Sequence, residues 1–460
     1  MSCAAMITSS DTTLTALLDQ ACSSADPYQS AALHPCLSAS ARTACETNIF
    51  AQRRHPRIFA QAAYTPASLL QRLALENDSV ILDKLVKNPA TPALVLKQLA
   101  RDKRDKQRLN SIATHPNAST ALLDSLDEQA SPARRQAICS NPNAGLIQLN
   151  RLLANASLGE CKKMAQNPHL DAVFLARLWQ AHDEVYLHAE IASHPNCPSA
   201  FLNIALNSDV VLLRRKAATN TKLSDTQLLQ LLADSASQVR VAALRQMVAV
   251  NLSQADEPVR RVRRELARKT GLSDDLLNRL SLDEDSWVRR WLARNPATPE
   301  PVLKKLATDA EIEVRRGVAR NPLTPTELCR QLATDPEYWV RAGIAIRADL
   351  DQGIIQQLSV DDSVDVLSGL GRNLKTPDKL LAQIAGHRDR DVRRAVILNP
   401  RAPLEVLIDL LQDPYALNRT LLCQHPALTE RELWELTTDP EAQVRFSAVQ
   451  VLASRCVSDQ

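Results

Sequence analysis

The chain has 460 residues and carries 55 Lys and Arg against 52 Asp and Glu, so its formal net charge at pH 7 is only +3. Such a balance offers no global case for nucleic-acid binding, which would have to rest on a local cluster. Only 9 of the 460 residues are Gly, whereas Gly usually makes up about 7% of a protein, and this shortage argues against Gly-rich phosphate loops. Aromatic residues make up only 3% of the chain, which argues against β-sandwiches and barrels. An all-α protein is therefore expected.

The first 55 residues lie outside any clear repeat, and we expect them to form an N-terminal capping segment. The opening has neither a basic leader nor a sustained apolar core, and no stretch of the chain reaches the ~20 consecutive apolar residues that a membrane span requires. The 10 cysteines are scattered, as is typical of reduced thiols outside a disulfide framework. A cytoplasmic protein without membrane association is expected.

Beyond this segment the sequence repeats itself. The clearest units start at Trp287, Glu313 and Asp391, and they share a Val-Arg opening, an Asn-Pro centre, a second Pro three residues later and a Leu-rich close. The slot of the central Asn recurs in steps of 26 residues, at positions 295, 321, 347, 373, 399 and 425. About sixteen units cover the chain, degenerate over residues 56–250 and clearer over 251–460, with a break in the pattern and an expected bend near residues 247–258.

Each unit is predicted to contain two helices. The first runs from the Val-Arg pair to the Asn, which we expect to end it in left-handed geometry before the Pro. Thr298 and its equivalents stand where an N-cap belongs, with Pro299 at the first position of the second helix, and Leu303 and Leu306 form the apolar stripe of that helix. Such a unit cannot bury its apolar face alone. We therefore predict a right-handed α-solenoid of the armadillo and HEAT type.

The repeat resembles that of the leucine-rich repeat variant proteins in its Val-Arg opening, its Asn-Pro-x-Thr-Pro centre and its Leu-x-x-Leu-Ala-x-Asp close. The resemblance implies an α-solenoid and no particular reaction. That family's repeats are shorter and contain one helix of nearly 3₁₀ form, so the form of the second helix stays open here. Some members carry an N-terminal four-cysteine iron-sulfur domain, for which the candidates are Cys3, Cys22, Cys36 and Cys45. No close Cys pair occurs among them, so incidental thiols and no metal or cofactor are expected.

Charged residues recur with the repeat and predict a structural ladder. Arginine follows the Val, and aspartate lies six residues before it, so the two can link adjacent turns through bidentate hydrogen bonds. The ladder residues are Asp283, Arg289, Asp309, Arg315, Asp335, Arg341, Arg393, Asp413, Arg419, Asp439 and Arg445.

A second set of residues predicts a binding surface on the first helices, which we expect to line the concave side of the array. Pairs of arginines one helical turn apart form a basic stripe of one sign, and a track of glycines headed by a tryptophan lies between them. The glycines are interpreted as the open floor of a groove, with close approach of a neighbouring helix as the alternative. The candidate residues are Arg264, Arg268, Arg290, Trp291, Arg294, Arg316, Gly317, Arg320, Gly343, Gly369 and Arg372. Trp287 and Trp339, nearby, are expected to pack between units.

The predicted function is that of a non-enzymatic scaffold, which binds an acidic or extended segment of a protein partner on this surface. The 9 histidines show no metalloprotease spacing, and the chain contains neither a nucleophile elbow nor a P-loop. Base flipping, as in HEAT-like glycosylases, is the one enzymatic route left open. Nucleic-acid binding through the same arginines is the main alternative, because guanidinium groups beside aromatic rings also suit phosphates and bases.

Overall fold

The computed structural model describes residues 12–37, 39–127, 130–247 and 257–458. These residues form 33 α-helices and two 3₁₀ segments and contain no β-strand. The prediction of an all-α solenoid is confirmed. The predicted bend near residues 247–258 falls mostly outside the described residues.

Contacts between residues divide the chain into two units, Met1–Leu223 with Arg445–Gln460, and Ser224–Val444. The helices of the first unit are α1 (Thr12–Ser24), α2 (Pro27–Leu33), α3 (Ala39–Phe50), α4 (Arg54–Gln61), α5 (Ala67–Leu73), α6 (Ser79–Lys87), α7 (Ala93–Leu99), α8 (Lys106–Thr114), α9 (Thr120–Asp127), α10 (Pro132–Ser140), α11 (Leu146–Leu153), α12 (Leu158–Met164), α13 (Ala172–Ala181), α14 (Val185–Ser193), α15 (Ser199–Leu206) and α16 (Val211–Ala217), with a 3₁₀ segment at His34–Cys36.

The helices of the second unit are α17 (Asp225–Leu232), α18 (Ser237–Gln246), α19 (Arg260–Leu266), α20 (Asp274–Leu280), α21 (Ser286–Arg294), α22 (Glu300–Leu306), α23 (Ile312–Arg320), α24 (Thr326–Leu332), α25 (Tyr338–Ala345), α26 (Gln352–Leu358), α27 (Val364–Arg372), α28 (Asp378–Ala385), α29 (Arg390–Ile397), α30 (Leu404–Leu407), α31 (Ala416–Leu422) and α32 (Glu430–Leu436), with a 3₁₀ segment at Ile408–Gln412. The last helix, α33 (Ala442–Ser458), begins in the second unit, and its residues from Arg445 onward belong to the first.

Helix pairs repeat along both units, and consecutive first helices pack directly against one another, as α21, α23, α25, α27 and α29 do. Val288 and Leu292 of α21 and Leu303 and Leu306 of α22 are buried, so the apolar stripes of both helices form one core. The second helices are α-helical, seven or eight residues long in most repeats, and only α30 passes into 3₁₀ form. Among the described residues, no helix has the length and apolar character needed to cross a lipid bilayer.

The Asn between the two helices has a different role from the one predicted. Asn295 is extended, with φ −70° and ψ 120°, so the left-handed cap was wrong. Its side-chain Nδ2 donates to the carbonyls of Ala267 and Lys269 in the preceding repeat, at 2.9 and 2.7 Å, and its Oδ1 accepts the backbone N–H of Ala297. A buried amide with these fixed donors and acceptor links each repeat to the one before it.

The Thr before the second Pro was also assigned wrongly. Pro299 is the N-cap residue of α22, and Thr298 lies outside the helix. The buried Thr298 hydroxyl donates to the carbonyl of Leu292, at 2.6 Å. It thereby gives a second donor to a carbonyl at the end of α21 that also accepts the backbone N–H of Asn295. Thr324 and Thr376 make the same contact in later repeats.

Candidate functional site

The predicted ladder residues lie together between successive repeats of the second unit. Nε and Nη2 of Arg289 donate to the carboxylate of Asp309, at 2.6 and 3.0 Å, and Nη1 donates to the carbonyl of Asp283, at 2.7 Å. Each arginine therefore holds the turn before its own helix and the turn of the next repeat. The equivalent pairs are Arg263–Asp283, Arg315–Asp335, Arg341–Asp361, Arg393–Asp413 and Arg419–Asp439.

Hydrogen bonding shifts the ionisation of the ladder groups. The hydrogen bond to Asp309 raises the pKa of Arg289 above its ordinary value. Burial alone would raise the pKa of Asp309, but the hydrogen bonds from Arg289 and from the N–H of Glu311 outweigh it and lower that pKa. Both groups are therefore charged at neutral pH, and the ladder stabilises the fold.

The last ladder residue has a different partner. Arg445 belongs to the first unit, where its Nε donates to the carboxylate of Asp26. Asp26 is the N-cap residue of α2 and accepts the backbone N–H of Tyr28, at 2.8 Å. The Asp26 carboxylate therefore accepts hydrogen bonds from an arginine side chain and from the backbone N–H two residues later. Asp309 accepts the same two kinds of hydrogen bond.

Arginine and tryptophan side chains of α19, α21, α23, α25 and α27 form the surface that we call the arginine–tryptophan face. Trp287 and Trp339 are 47% and 39% exposed, and each ring contacts an arginine of the preceding repeat, Arg264 and Arg316 respectively, while keeping part of its surface open. The guanidinium carbon of Arg290 lies 4.7 Å from the centre of the Trp287 ring, and that of Arg316 lies 4.6 Å from the Trp339 ring. Exposed indoles held by guanidinium groups are suited to contact a ligand.

Carboxylates interrupt the stripe, which therefore is not of one sign as predicted. The ion pairs on this face are Arg264–Asp285, Arg268–Glu265, Arg290–Glu313 and Arg316–Glu313, with N–O distances between 2.6 and 3.3 Å. Arg294, Arg320 and Arg372 make no hydrogen bond or ion pair within the part of the chain that the structure describes. These three arginines therefore carry positive charge without a carboxylate partner, and Arg290 and Arg316 share a single carboxylate.

Two of the unpaired arginines line an open cavity of about 240 Å³ between α21 and α23. Its other lining residues are Arg290, Glu313, Arg316 and Gly317. Burial and the neighbouring guanidinium groups lower the pKa of Arg294 and Arg320 below the ordinary value for arginine. Since these groups stay charged at neutral pH, an anion entering the cavity would relieve their mutual repulsion.

The glycine track lies where successive first helices pack closely against one another. Gly317, Gly343 and Gly369 are buried. A Cβ atom on Gly317 would lie 2.8 Å from Cβ of Ala293 on the neighbouring helix, closer than such atoms approach. The same holds at Gly343 and Gly369, with 3.0 and 2.7 Å to the equivalent alanines. The glycines thus admit the neighbouring first helix, the alternative given in the sequence analysis, and Gly317 and Gly369 also line cavities of the face.

Glu313 is a residue of this face that the sequence analysis did not single out. It occupies the same repeat position as Trp287 and Trp339, one repeat away from each. This alternation of indole, carboxylate and indole in steps of 26 residues was the available signal. Its importance depends on the two arginines that reach it from different helices.

The N-terminal cysteines form no metal site among the residues described. Cys22 and Cys36 are half-buried, Cys45 is buried, and none of the three forms a disulfide with a described residue, while Cys3 lies outside the described residues. No group of three or more His, Cys, Asp or Glu side chains in the described ranges is placed to hold a metal ion. Burial raises the pKa of the Cys36 thiol, which disfavours the thiolate that binds metals.

No family model matches the chain, and no curated protein matches it. Similar solved structures include a designed armadillo repeat protein in complex with the peptide (KR)4, which is 14% identical, with 78% of this chain and 98% of that chain covered and a TM-score of 0.08. A second designed armadillo repeat protein is 14% identical, with 84% and 98% covered and a TM-score of 0.07. TM-scores this low carry no argument, so the fold assignment rests on the helices of this chain.

Proposed function

We propose that the protein is a non-enzymatic repeat scaffold that binds an acidic, extended segment of a protein partner along the arginine–tryptophan face. The observation that carries this proposal is the presence of three arginines without carboxylate partners beside exposed indole rings. The fold makes no use of these charges, since the ladder arginines already link the repeats. A ligand with carboxylate groups would give the unpaired guanidinium groups their missing acceptors.

The arrangement of the face favours an extended ligand. Arg294 and Arg320 come from equivalent positions of consecutive repeats, and Arg372 lies two repeats further along. Successive first helices pack side by side, so a strand-like segment crossing them meets one repeat after another. The exposed rings of Trp287 and Trp339 offer apolar contact between the charged positions.

Nucleic acid fits the face less well. Glu313, Asp365 and Asp391 occupy equivalent positions on α23, α27 and α29. A polyanion that crosses these helices would approach each carboxylate in turn, and like charges repel. A peptide can place apolar or basic side chains at the same points, which is why we favour a protein partner.

Two finer assignments belong to the same proposal. We infer a divergent array of the leucine-rich repeat variant type, supported by the recurring Asn-Pro turn and its side-chain link between repeats. We also infer a cytoplasmic location, supported by eight cysteines of the described residues that form no disulfide. Burial raises the pKa of the Cys139 and Cys423 thiols to about 12, so these cysteines are unsuited to act as nucleophiles.

The test measures fluorescence anisotropy of a labelled Glu-rich peptide with the full chain. We expect the triple variant Arg294→Gln, Arg320→Gln, Arg372→Gln to weaken binding about tenfold or more, because each charged contact contributes on the order of 1 kcal/mol. The matched control, Lys304→Gln with Lys305→Gln on α22, removes charges from a second helix and should bind normally.

Salt dependence separates the two ligand classes. Peptide affinity should fall gently with salt, whereas phosphate contacts with nucleic acid give a steep log-log slope. Tighter binding of a single-stranded oligonucleotide with a steep slope, or equal weakening in the lysine control, would contradict the proposal.

A further inference from the structure

The cavity between α21 and α23 differs from the rest of the arginine–tryptophan face. We propose that it is a specific site for a phosphoryl group, carried by a phosphorylated serine or threonine of the partner segment. This inference rests on the proposed function and names the chemical group that the cavity selects.

The cavity concentrates positive charge from two helices. Arg290 and Arg294 lie one turn apart on α21, and Arg316 and Arg320 lie one turn apart on α23. All four line the cavity, and Glu313 is the only carboxylate that does so. Four positive charges therefore face one negative charge, and the excess is largest at this point of the face.

Two of the arginines are fixed in place as walls of the site. Arg290 and Arg316 each stack on an indole ring, and they share Glu313, with N–O distances of 3.0 and 3.2 Å. Their side chains are only about 20% exposed, at 20% and 19%. The Nε atoms of both are buried and have no hydrogen-bond partner in the described part of the chain. Buried donors without acceptors are costly, and an anion supplies acceptors.

The other two arginines have no carboxylate partner among the described residues, although the guanidinium carbon of Arg294 lies 5.8 Å from the centre of the Trp291 ring. Arg294 is half-buried and Arg320 is exposed, and neither has an acceptor among the described residues. Their guanidinium groups can therefore turn toward a ligand while Arg290 and Arg316 hold the walls. Gly317 makes this possible, because a Cβ atom there would lie 3.2 Å from both the Arg290 carbonyl oxygen and Cγ of Arg294.

A phosphoryl group suits this charge better than a carboxylate does. A carboxylate brings one negative charge and two acceptor oxygens. A phosphorylated side chain carries about −1.5 to −2 at neutral pH and three strong acceptor oxygens, and clusters of arginine are the usual means of binding it. The cavity has three more positive than negative charges, so a phosphoryl group neutralises it more completely than a carboxylate does.

The neighbouring positions confine the phosphoryl group to this one cavity. Between α19 and α21, Trp291 occupies the position of Gly317 and lies 3.5 Å from the Arg268 guanidinium. On α25, the positions of Arg290 and Arg294 are taken by Ala342 and Ile346. The next cavity along the face, of about 310 Å³, sets Asp365 and Asp391 against Arg320, Arg372 and Arg394, so its excess is one positive charge rather than three. One isolated anion site fits a single modified side chain rather than a polyanion.

The test compares three labelled peptides of one acidic sequence that carry Ser, Glu or phosphoserine at a central position. With the full chain, we expect the phosphoserine peptide to bind about tenfold more tightly than the Glu peptide, as the additional charge-assisted hydrogen bonds predict. In Arg294→Gln with Arg320→Gln this ratio should fall to about one. The control Arg372→Gln, outside the cavity, should weaken both peptides by the same factor and keep the ratio.

Further arms separate the possible failures. Inorganic phosphate should raise the thermal unfolding midpoint of the wild-type chain at constant ionic strength, and the double variant should lose this shift. If that variant fails to fold, Arg294→Lys with Arg320→Lys provides a second test. It keeps the positive charges but removes the planar guanidinium groups that bind phosphate through two hydrogen bonds, so it should still reduce the preference for phosphoserine.

Equal affinity for the Glu and phosphoserine peptides, or a ratio unchanged by the double variant, would overturn the phosphoryl site and leave the proposed scaffold function intact. Absence of binding by every peptide would overturn the scaffold proposal itself. If no peptide binds but inorganic phosphate stabilises the wild-type chain and not the double variant, the cavity would be assigned to free phosphate. Tighter binding of a single-stranded oligonucleotide would assign it to nucleic acid.

Discussion

The second unit links most successive repeats with one kind of ion pair, whereas the first unit uses several. In most repeats of the second unit an arginine of the first helix pairs with an aspartate 20 residues later, from Arg263–Asp283 to Arg419–Asp439. The exceptions are α18, where Arg240 pairs with Glu257, and α27, which has Leu367 at this position. In the first unit the pairs vary in residue type and position, and they include Arg57–Asp78, Arg108–Asp83, Arg135–Glu160, Lys162–Glu184 and Lys216–Glu190. The buried amide link is common to both units, as Asn141 and Asn321 show. Both units thus keep the Asn side-chain link between repeats, whereas the residues that form the ion pair between repeats vary.

The same comparison locates the candidate site. One repeat position carries Glu190 and Lys216, an ion pair of 2.8 Å, in the first unit and Gly317 and Gly343 in the second. Where the second unit has Arg294 and Arg320, the first has Ser193 and Thr219, whose hydroxyls donate to carbonyls of their own helices. The first unit satisfies these side chains internally, and the second leaves cations unpaired. The binding surface is therefore sought in the second unit.

The largest expected effect tests what the units share. Leu306 of the second unit and Leu99 of the first are 1% and 5% exposed, at equivalent positions of their second helices. We expect Leu306→Ala and Leu99→Ala each to lower the free energy of unfolding by about 2–5 kcal/mol, through lost burial and the cavity left behind. Urea unfolding measures this, with the exposed Leu282→Ala as a control near zero. A large decrease in the free energy of unfolding for only one of the two variants would show that the cores of the two units are not equivalent.

A smaller loss of stability is expected when a ladder ion pair, the feature that distinguishes the second unit from the first, is removed. Arg289 and Asp309 are 16% and 9% exposed, so Arg289→Gln should destabilise the chain by about 1–3 kcal/mol at neutral pH. The control is Arg151→Gln in the first unit, whose pair with Asp124 is largely exposed and should contribute less than about 1 kcal/mol.

The pH dependence of the same variant sharpens the contrast. Asp309 has a lowered pKa in the folded chain, so the unfolded chain binds more protons once the pH falls below the ordinary Asp pKa of about 3.9. Its contribution to stability is present above that pH and is lost as the pH falls through the lowered pKa. Arg289→Gln should flatten the dependence of the unfolding free energy between about pH 2 and 5. Parallel profiles for variant and wild type would show that the ladder does not set this pKa.

The smallest expected effects concern glycine. Gly369→Ala places a methyl group 2.7 Å from Cβ of Ala345 and should destabilise the second unit by about 1–3 kcal/mol. Gly159→Ala in the first unit meets no atom closer than 4.0 Å and should stabilise by about 0.5–1 kcal/mol, because the unfolded chain loses freedom. Thermal unfolding should show shifts of opposite sign. Stabilisation at both positions would mean that the glycines of the second unit are not needed for helix contact.

The sequence by itself determined the helix pairs, their length and their core. The 26-residue period and the spacing of Leu303 and Leu306 depend on local geometry, in which one turn of helix places residues on one face. The Asp and Arg of the ladder were also visible, because they recur with the repeat. The sequence predicted that these residues link adjacent turns, but it did not specify that Arg289 takes the carboxylate of the following turn, 20 residues later.

Only the tertiary structure decided which side chains are buried between helices. The roles of Asn295 and Thr298 depend on carbonyls that other parts of the fold bring to them, from the preceding repeat and from the end of α21. The burial of Gly317 depends on the distance between α21 and α23, which no periodicity in one helix specifies. The sharing of Glu313 by two arginines depends on that same distance. Local spacing sets which residues share a face, and packing sets what that face meets.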